Sequence, residues 1–242
     1  MRQPLLWVAC CCAVLTACGG STPTGPSSPP TLSRTKFLAF GDSMTAGEVT
    51  NPVGGVGLAS SHRAMVLVPA ASYPSRLLSL LQERYVLQAA ALSVINAGKS
   101  LETAQEGAVR FPGVFAESRA EAVLIMEGVN GLDIAGPDFS TDFIRSMVHV
   151  AKAGGARVFV ASTLPTITGR LRSKPPAELV VYNTRLQQMA LAEQAVYVDL
   201  YNILLPEANT VIGADGLHPT EAGYKRMADV FFAAIQAQLE VK

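Results

Sequence analysis

From residue 36 onward, short apolar runs alternate with longer segments whose apolar positions recur every three or four residues. The short runs are typical of buried strands, and the periodic segments are typical of amphipathic helices. The pattern predicts five strands, at residues 36–40, 92–96, 122–126, 157–161 and 196–199. It predicts helices at residues 73–88, 101–109, 139–153, 177–194 and 219–239.

The alternation of strands and helices indicates the fold class. Parallel strands joined by helices form a sheet that is covered on both faces. We therefore predict an α/β fold, a three-layer sandwich around a five-stranded parallel sheet. Residues 48–72 follow the first strand and include Gly54, Gly55 and Gly57. We predict that they form a long loop, a candidate lid or rim of a substrate site.

The first 20 residues, MRQPLLWVACCCAVLTACGG, differ in character from the rest of the chain. Arg2 precedes an apolar run at residues 5–17 that is too short to span a bilayer comfortably, which indicates a secretory signal. Residues 15–18, LTAC, resemble the bacterial lipobox, whose cysteine becomes the lipidated first residue of the mature protein. This resemblance predicts lipidation at Cys18. An ordinary signal peptide that is rich in cysteine is the alternative.

We therefore divide the chain into three parts. A lipoprotein signal peptide is predicted at residues 1–17. Residues 18–35 are predicted to contain the lipidated Cys18 and a tether rich in Pro, Ser and Gly, and residues 36–242 are predicted to form a folded domain. The lipid would anchor the domain to a membrane outside the cytoplasm. Gly19 resembles the pattern that is sorted to the outer membrane, so the periplasmic side of that membrane is expected in a Gram-negative host.

Charge and cysteine content exclude several classes of function. The 242 residues carry 19 basic and 19 acidic side chains, which gives no electrostatic reason to expect a nucleic-acid partner. All four cysteines, at positions 10, 11, 12 and 18, lie in the N-terminal segment. The predicted domain therefore has no thiol for a disulfide, a zinc site or a nucleophile. NAGKS resembles the end of a phosphate-binding loop, but Ser93 occupies the position where that loop needs glycine. We expect no cofactor and no metal.

Three histidines are available as a catalytic base. His149 falls on the polar face of a predicted helix, and His62 has no acidic neighbour to orient its ring. His218 follows Asp215 by three residues, close enough for one loop to hold both side chains together. The carboxylate could then fix the imidazole tautomer and stabilise its cation. The alternative for Asp215 and His218 is a helix N-terminus with an incidental acid.

Ser43 follows the first predicted strand in the stretch FLAFGDSMTAGE. A reactive serine needs a base within hydrogen-bond range, and open α/β sheets keep their reactive groups at the carboxyl ends of the strands. The loop that contains His218 follows the fifth predicted strand and so reaches the same edge of the sheet. We therefore predict that Ser43 and His218 meet there. A turn that happens to contain serine is the alternative.

The chain resembles the SGNH hydrolases, or GDSL esterase/lipase superfamily, in four motifs that occur in the family's order. These motifs are Gly41-Asp42-Ser43-Met44, Gly98, Gly128-Val129-Asn130-Gly131, and Asp215 with His218. The resemblance covers the chain from about residue 36 to the last helix and implies a flavodoxin-like fold. It implies that Ser43, Asp215 and His218 are catalytic. It also implies an oxyanion hole formed by the Ser43 and Gly98 backbone N–H groups and the Asn130 side chain.

Two positions depart from the family pattern. Met44 replaces a leucine and conserves its bulk and apolar character. Gly131 replaces the aspartate of the third motif, and Asp133 is a candidate substitute for it. This second change concerns the positioning of Asn130, because that aspartate normally helps to shape the loop.

The resemblance implies a serine esterase that hydrolyses carboxylic acyl esters through an acyl-enzyme. The same motifs serve lipids and acetylated glycans, and both remain open as substrates. One alternative is a non-catalytic surface lipoprotein that keeps the fold and binds a glycan or a lipid. Another is a flavodoxin-like regulatory or cofactor module. The oligomeric state cannot be predicted from the sequence.

Overall fold

The structure, a computed structural model, describes residues 28–50 and 65–241. The predicted signal peptide, the lipidation site at Cys18, most of the tether and His62 lie outside the described residues. They therefore stay predictions. Within the described ranges, no helix is long and apolar enough to cross a membrane. The same ranges contain no cluster of three or more His, Cys, Asp or Glu side chains that could hold a metal ion.

The strands confirm the predicted sheet. They are β1 (Thr31–Leu32), β2 (Lys36–Gly41), β3 (Glu48–Thr50), β4 (Met65–Leu67), β5 (Ser93–Gly98), β6 (Ala122–Met126), β7 (Arg157–Ala161), β8 (Val196–Val198) and β9 (Glu240–Val241). Five of these strands form a parallel sheet in the order β5-β2-β6-β7-β8. The crossovers change direction at β2, and α/β sheets bind their ligands at such a switch point.

Helices connect these strands. They are α1 (Ser43–Ala46), α2 (Tyr73–Arg84), α3 (Ala104–Ser118), α4 (Leu132–Ala153), α5 (Pro176–Ala192), α6 (Leu200–Leu204), α7 (Ala208–Val211) and α8 (Glu221–Leu239). Short 3₁₀ turns occur at Pro69–Ala71, Val86–Gln88 and Leu205–Glu207. Helix α2 packs against α8, while α4 packs against both α3 and α5. These two groups cover the two faces of the sheet, as the α/β prediction requires.

Burial along the central strands explains why the sheet forms. Every residue of β6, and every residue of β2 after Lys36, is buried. A strand can bury consecutive side chains only when both faces of its sheet are covered. Each buried Val, Leu, Ile or Phe contributes about 1.5–3 kcal/mol relative to exposure, so these two strands form the centre of the core.

Two boundaries differ from the predictions for identifiable reasons. Helix α4 begins at Leu132, seven residues before the predicted start, and Gly136 with φ 76° and ψ 167° interrupts it. The sequence pattern detected only the part that follows Gly136 and Pro137. The predicted loop at residues 48–72 contains β3 and β4, which pair antiparallel, with Glu48 opposite Leu67. Residues 51–64 of that segment lie outside the described part of the chain.

Candidate active site

Ser43 is positioned by the end of β2 and the start of α1. Gly41 ends the strand and must be glycine, because a Cβ there would lie 2.0 Å from the Met126 carbonyl oxygen. Asp42 then caps α1 by accepting a hydrogen bond from the Met44 N–H at 2.9 Å. Ser43 is the first residue of α1, where a backbone N–H has no partner within the helix. The serine is thus held at the carboxyl edge of the sheet on a rigid turn.

Ser43, His218 and Asp215 form a continuous hydrogen-bonded relay. Ser43 Oγ lies 2.9 Å from His218 Nε2, and His218 Nδ1 lies 2.6 Å from Asp215 Oδ2. A carboxylate only accepts, so the ring proton lies on Nδ1 and leaves Nε2 free to accept from the Ser43 hydroxyl. Ser43 is 3% exposed and His218 is 2% exposed. The structure therefore brings together the three residues that the sequence predicted as catalytic.

The loop before α8 fixes the orientation of Asp215. Its Oδ1 accepts hydrogen bonds from the Leu217 and His218 backbone N–H groups, each at 3.0 Å. Gly216 makes this turn possible by adopting φ 85°, in the left-handed region. Burial raises the pKa of Asp215, but the hydrogen bonds from the His218 ring and the Leu217 N–H outweigh it, and the net pKa is lowered. Asp215 is consequently ionised at neutral pH.

Thr50 is a part of the site that the sequence analysis missed. Its hydroxyl lies 3.2 Å from Asp215 Oδ1 and 3.0 Å from the His218 carbonyl oxygen, and it can donate to either acceptor. The side chain is fully buried at the end of β3. Thr50 therefore links the strand after the nucleophile to the loop that holds the acid and the base. No local pattern in the sequence signals this contact, because the residues are 165 positions apart.

Two of the three predicted oxyanion donors are engaged in other hydrogen bonds. The Gly98 N–H donates to Asn96 Oδ1 at 2.9 Å, and Asn130 Nδ2 donates to the Glu102 carbonyl oxygen at 3.0 Å. Gly98 has a clear packing role, since a Cβ there would lie 2.0 Å from the Ala46 nitrogen in α1. The donor roles of Gly98 and Asn130 toward an oxyanion stay predictions.

The structure explains Gly131 and shows that Asp133 does not replace the missing aspartate. Gly131 has φ 71°, and a Cβ there would lie 3.2 Å from Thr103 Cγ2. Asp133 is directed to the surface, where its carboxylate lies 3.2 Å from the Lys174 ammonium. This pairing lowers the pKa of Asp133. The position of Asn130 is instead fixed by its own hydrogen bond to the Glu102 carbonyl oxygen.

The other described histidine is remote from this chemistry. His149 Nε2 lies 2.9 Å from Glu193 Oε2, and the His149 side chain is 58% exposed. This exposed contact agrees with the prediction that His149 is not catalytic.

Two buried carboxyl groups accompany the nucleophile, Asp42 directly before it and Glu127 directly after β6. Burial raises the pKa of Asp42 to about 7, against a smaller lowering by the Met44 N–H. Burial, followed by the charges of Asp42 and Glu102, raises the pKa of Glu127 well above its usual value. Neither Asp42 Oδ2 nor Glu127 Oε2 has a hydrogen-bond partner among the described residues. The fold therefore favours the protonated form of both groups.

These raised pKa values predict a loss of stability with rising pH. Protonated Asp42 contributes fully to the free energy of unfolding below the unfolded-state pKa of 3.8. This contribution is lost as pH rises through about 7, the pKa in the folded protein. We expect the free energy of unfolding to fall by about 2 kcal/mol between pH 5.5 and 8 from Asp42 alone. Urea unfolding at the two pH values measures this fall. Asp42→Asn keeps an oxygen to accept from the Met44 N–H but cannot ionise, so it should reduce this fall. Glu207→Gln, at an exposed ion pair, should not change the fall, and equal stability of the parent protein at both pH values contradicts the prediction.

Comparison with known sequences gives matches that cover most of this domain. The profile of the GDSL-like Lipase/Acylhydrolase family matches residues 39–226, which include Ser43, Asp215 and His218. The chain is 28% identical over 153 residues to Esterase TesA of Pseudomonas aeruginosa, a match that covers 62% of this chain and 73% of TesA.

Solved structures share the fold. A lipase/acylhydrolase from Enterococcus faecalis matches with a TM-score of 0.65 at 22% identity, over 86% of this chain and 98% of that protein. A catalytic mutant of Axe2, an acetylxylan esterase from Geobacillus stearothermophilus, matches with a TM-score of 0.64 at 21% identity. That match covers 83% of this chain and 94% of Axe2.

Proposed function

Because this chain belongs to the GDSL-like lipase/acylhydrolase family of SGNH hydrolases and is a carboxylic ester hydrolase, we propose that it acts through an acyl-enzyme on Ser43. The observation that carries this proposal is the relay from Ser43 through His218 to Asp215, with contacts of 2.9 and 2.6 Å. A serine hydroxyl becomes a useful nucleophile only when a base lies within hydrogen-bond range, and this arrangement provides the base and the group that orients it.

The reaction proceeds in two steps. Ser43 Oγ attacks the ester carbonyl carbon while His218 Nε2 takes the hydroxyl proton, and the resulting imidazolium is stabilised by Asp215. The tetrahedral intermediate collapses, the bond to the leaving oxygen breaks, and Nε2–H protonates the alcohol as it departs. Water then attacks the acyl-enzyme in the same manner, giving up a proton to His218. Collapse of the second intermediate returns that proton to Ser43 and releases the carboxylic acid.

The oxyanion of each intermediate is assigned to the Ser43 N–H, the Gly98 N–H and the Asn130 amide. The first of these lies at the N-terminus of α1, where helix N–H groups point outward. Recruitment of Gly98 requires its N–H to exchange Asn96 Oδ1 for the substrate oxygen. Asn130 Nδ2 carries a second N–H, which can donate to the oxyanion while the first stays on the Glu102 carbonyl oxygen. One oxyanion donor typically supplies about 3–4 kcal/mol of transition-state stabilisation, enough to drive such an exchange.

The substrate proposed here is a carboxylic acyl ester of a lipid or of an acetylated glycan. The relatives support the two classes, since one match is named a lipase/acylhydrolase and another an acetylxylan esterase. The lipobox-like sequence ending at Cys18 supports a lipid-anchored enzyme outside the cytoplasm, where either substrate would lie close to a membrane or a cell wall. Hydrolysis rates for acetyl through palmitoyl esters, measured beside an acetylated glycan, distinguish the classes.

Covalent labelling tests the acyl-enzyme directly. A fluorophosphonate probe should modify this protein, and peptide mapping should locate the adduct on Ser43. The Ser43→Ala variant should lose the label, whereas Ser79→Ala, which removes a hydroxyl from helix α2 outside the relay, should keep it. A protein that folds but takes up no label is instead a non-catalytic binder of lipid or glycan. An adduct on another serine shows that Ser43 is not the nucleophile.

A further inference from the structure

Glu48 lies next to His218 on the side of the ring opposite Asp215. Its Oε2 is 3.6 Å from His218 Nε2, the nitrogen that faces Ser43 Oγ at 2.9 Å. The Glu48 side chain is 14% exposed, and Oε2 accepts no hydrogen bond from the described residues. A carboxylate oxygen without a donor is costly when buried, so its place beside the reacting nitrogen needs an explanation.

The backbone of Glu48 is held on two sides. Its strand, β3, pairs with β4, and its carbonyl oxygen accepts a hydrogen bond from the Tyr224 hydroxyl at 2.8 Å. Burial, followed by the charges of Asp42 and Glu48, raises the pKa of Tyr224 well above its usual value, so Tyr224 remains a donor. The carboxylate therefore extends from a fixed backbone position toward the imidazole.

The effect of this carboxylate depends on the protonation state of His218. In the neutral ring the Nε2 lone pair faces Ser43, and a negative oxygen at 3.6 Å gains no hydrogen bond from it. In the imidazolium, Nε2 carries a proton and a share of the positive charge, and the same oxygen becomes attractive. The imidazolium is then flanked by two carboxylates, with Asp215 at Nδ1 and Glu48 at Nε2.

We propose that Glu48 is a positioning residue of the ester hydrolase: its carboxylate stabilises the His218 imidazolium that forms when Ser43 gives up its proton. This inference rests on the acyl-enzyme mechanism proposed above. The proton moves from Ser43 Oγ to His218 Nε2 and then to the leaving oxygen, and Glu48 neither gains nor loses one.

Other titratable groups also face the His218–Glu48 pair. Asp215 approaches from the loop before α8, Asp42 from the start of α1, and Tyr224 from α8. Burial raises the pKa of Asp42 to about 7, and the His218 and Glu48 charges act on it in opposite directions. Asp42 can therefore titrate in the same pH range as a histidine, so the test must observe the His218 ring itself.

The experiment is an NMR titration of ring-labelled histidine, combined with the pH profile of kcat/KM, in the parent protein and Glu48→Gln. We expect the His218 titration midpoint and the acidic limb of kcat/KM to move about one pH unit lower in the variant. The alkaline plateau of kcat/KM should fall about tenfold, because one pH unit corresponds to a tenfold difference in stabilisation of the cation. In Glu48→Asp the side chain is one methylene shorter, so the carboxylate lies farther from His218. The His218 midpoint and the kcat/KM plateau of this variant should lie between those of the parent protein and Glu48→Gln.

Glu207→Gln is the matched control, because its carboxylate pairs with Arg226 at an exposed ion pair outside the relay. It should leave both the His218 midpoint and the rate unchanged. Unmoved His218 midpoints in the Glu48 variants, or a rate loss of equal size at every pH, would show a purely structural role and overturn the proposal. If Glu48→Gln does not fold, the Glu48→Asp midpoint decides alone. Failure of the acyl-enzyme mechanism appears separately, as absent fluorophosphonate labelling of Ser43.

Discussion

Replacement of His218 by alanine is expected to lower kcat/KM for ester hydrolysis by at least about 10⁴-fold. The imidazole is the group that contacts both Ser43 Oγ, at 2.9 Å, and Asp215 Oδ2, at 2.6 Å. Without it the serine proton has no acceptor in the relay, and the leaving oxygen has no donor. The residual rate should reflect binding and the oxyanion donors alone. Hydrolysis of a short p-nitrophenyl ester at pH 8 measures the loss.

The control for this variant is His149→Ala, since His149 is exposed and contacts Glu193 outside the relay. It should retain the rate of the parent protein. Because His218 is buried, thermal unfolding of both variants must be compared with the parent, so that a folding defect is not taken for a catalytic one. A well-folded His218→Ala protein that keeps more than about one tenth of the parent rate shows that another group is the base.

The fold could be predicted largely from local pattern. Each central strand is a continuous apolar run, and burial on both faces is the physical condition that produces such a run. The start of α4 escaped prediction because Gly136 and Pro137 break the helical period, although the chain resumes the helix after the kink at Gly136. A period of 3.6 residues cannot be recognised over the four residues that precede such a break.

The candidate active site was partly predictable for a different reason. Ser43 follows a buried strand, and Asp215 and His218 belong to one short loop, so each has a local signal in the sequence. Thr50 and Glu48 have none. They reach the relay from β3, a three-residue strand in a segment that the sequence predicted as a loop. Contacts between residues more than 160 positions apart arise from tertiary packing. They cannot be predicted from the local pattern of a single sequence.

The role of Gly98 shows a similar limit. The resemblance in sequence identified the residue. A glycine can be required for close packing or for a free N–H, and the sequence shows a glycine in either case. The structure shows the packing, with Ala46 nitrogen 2.0 Å from a Cβ at position 98, and shows the N–H donating to Asn96. Only coordinates distinguish these two reasons for a glycine.

Asp215→Asn is expected to lower kcat by about 10⁴-fold while leaving the fold intact. The Leu217 and His218 backbone N–H groups donate to Oδ1, so an asparagine would keep its amide oxygen there and place its NH₂ group against His218 Nδ1. Nδ1 must then accept, the ring proton moves to Nε2, and the ring can no longer take the proton of Ser43.

The geometry also defines the controls for this substitution. Asp229→Asn, on the exposed face of α8 beside Arg226, makes the same chemical change outside the relay and should keep the parent rate. Circular dichroism should show both variants folded, because the amide oxygen introduced by Asp215→Asn still accepts from the two backbone N–H groups. Ring-nitrogen NMR shifts of His218 should report a protonated Nε2 in Asp215→Asn and a protonated Nδ1 in the parent. An active Asp215→Asn enzyme with the proton still on Nδ1 would mean that the tautomer is set by something other than Asp215.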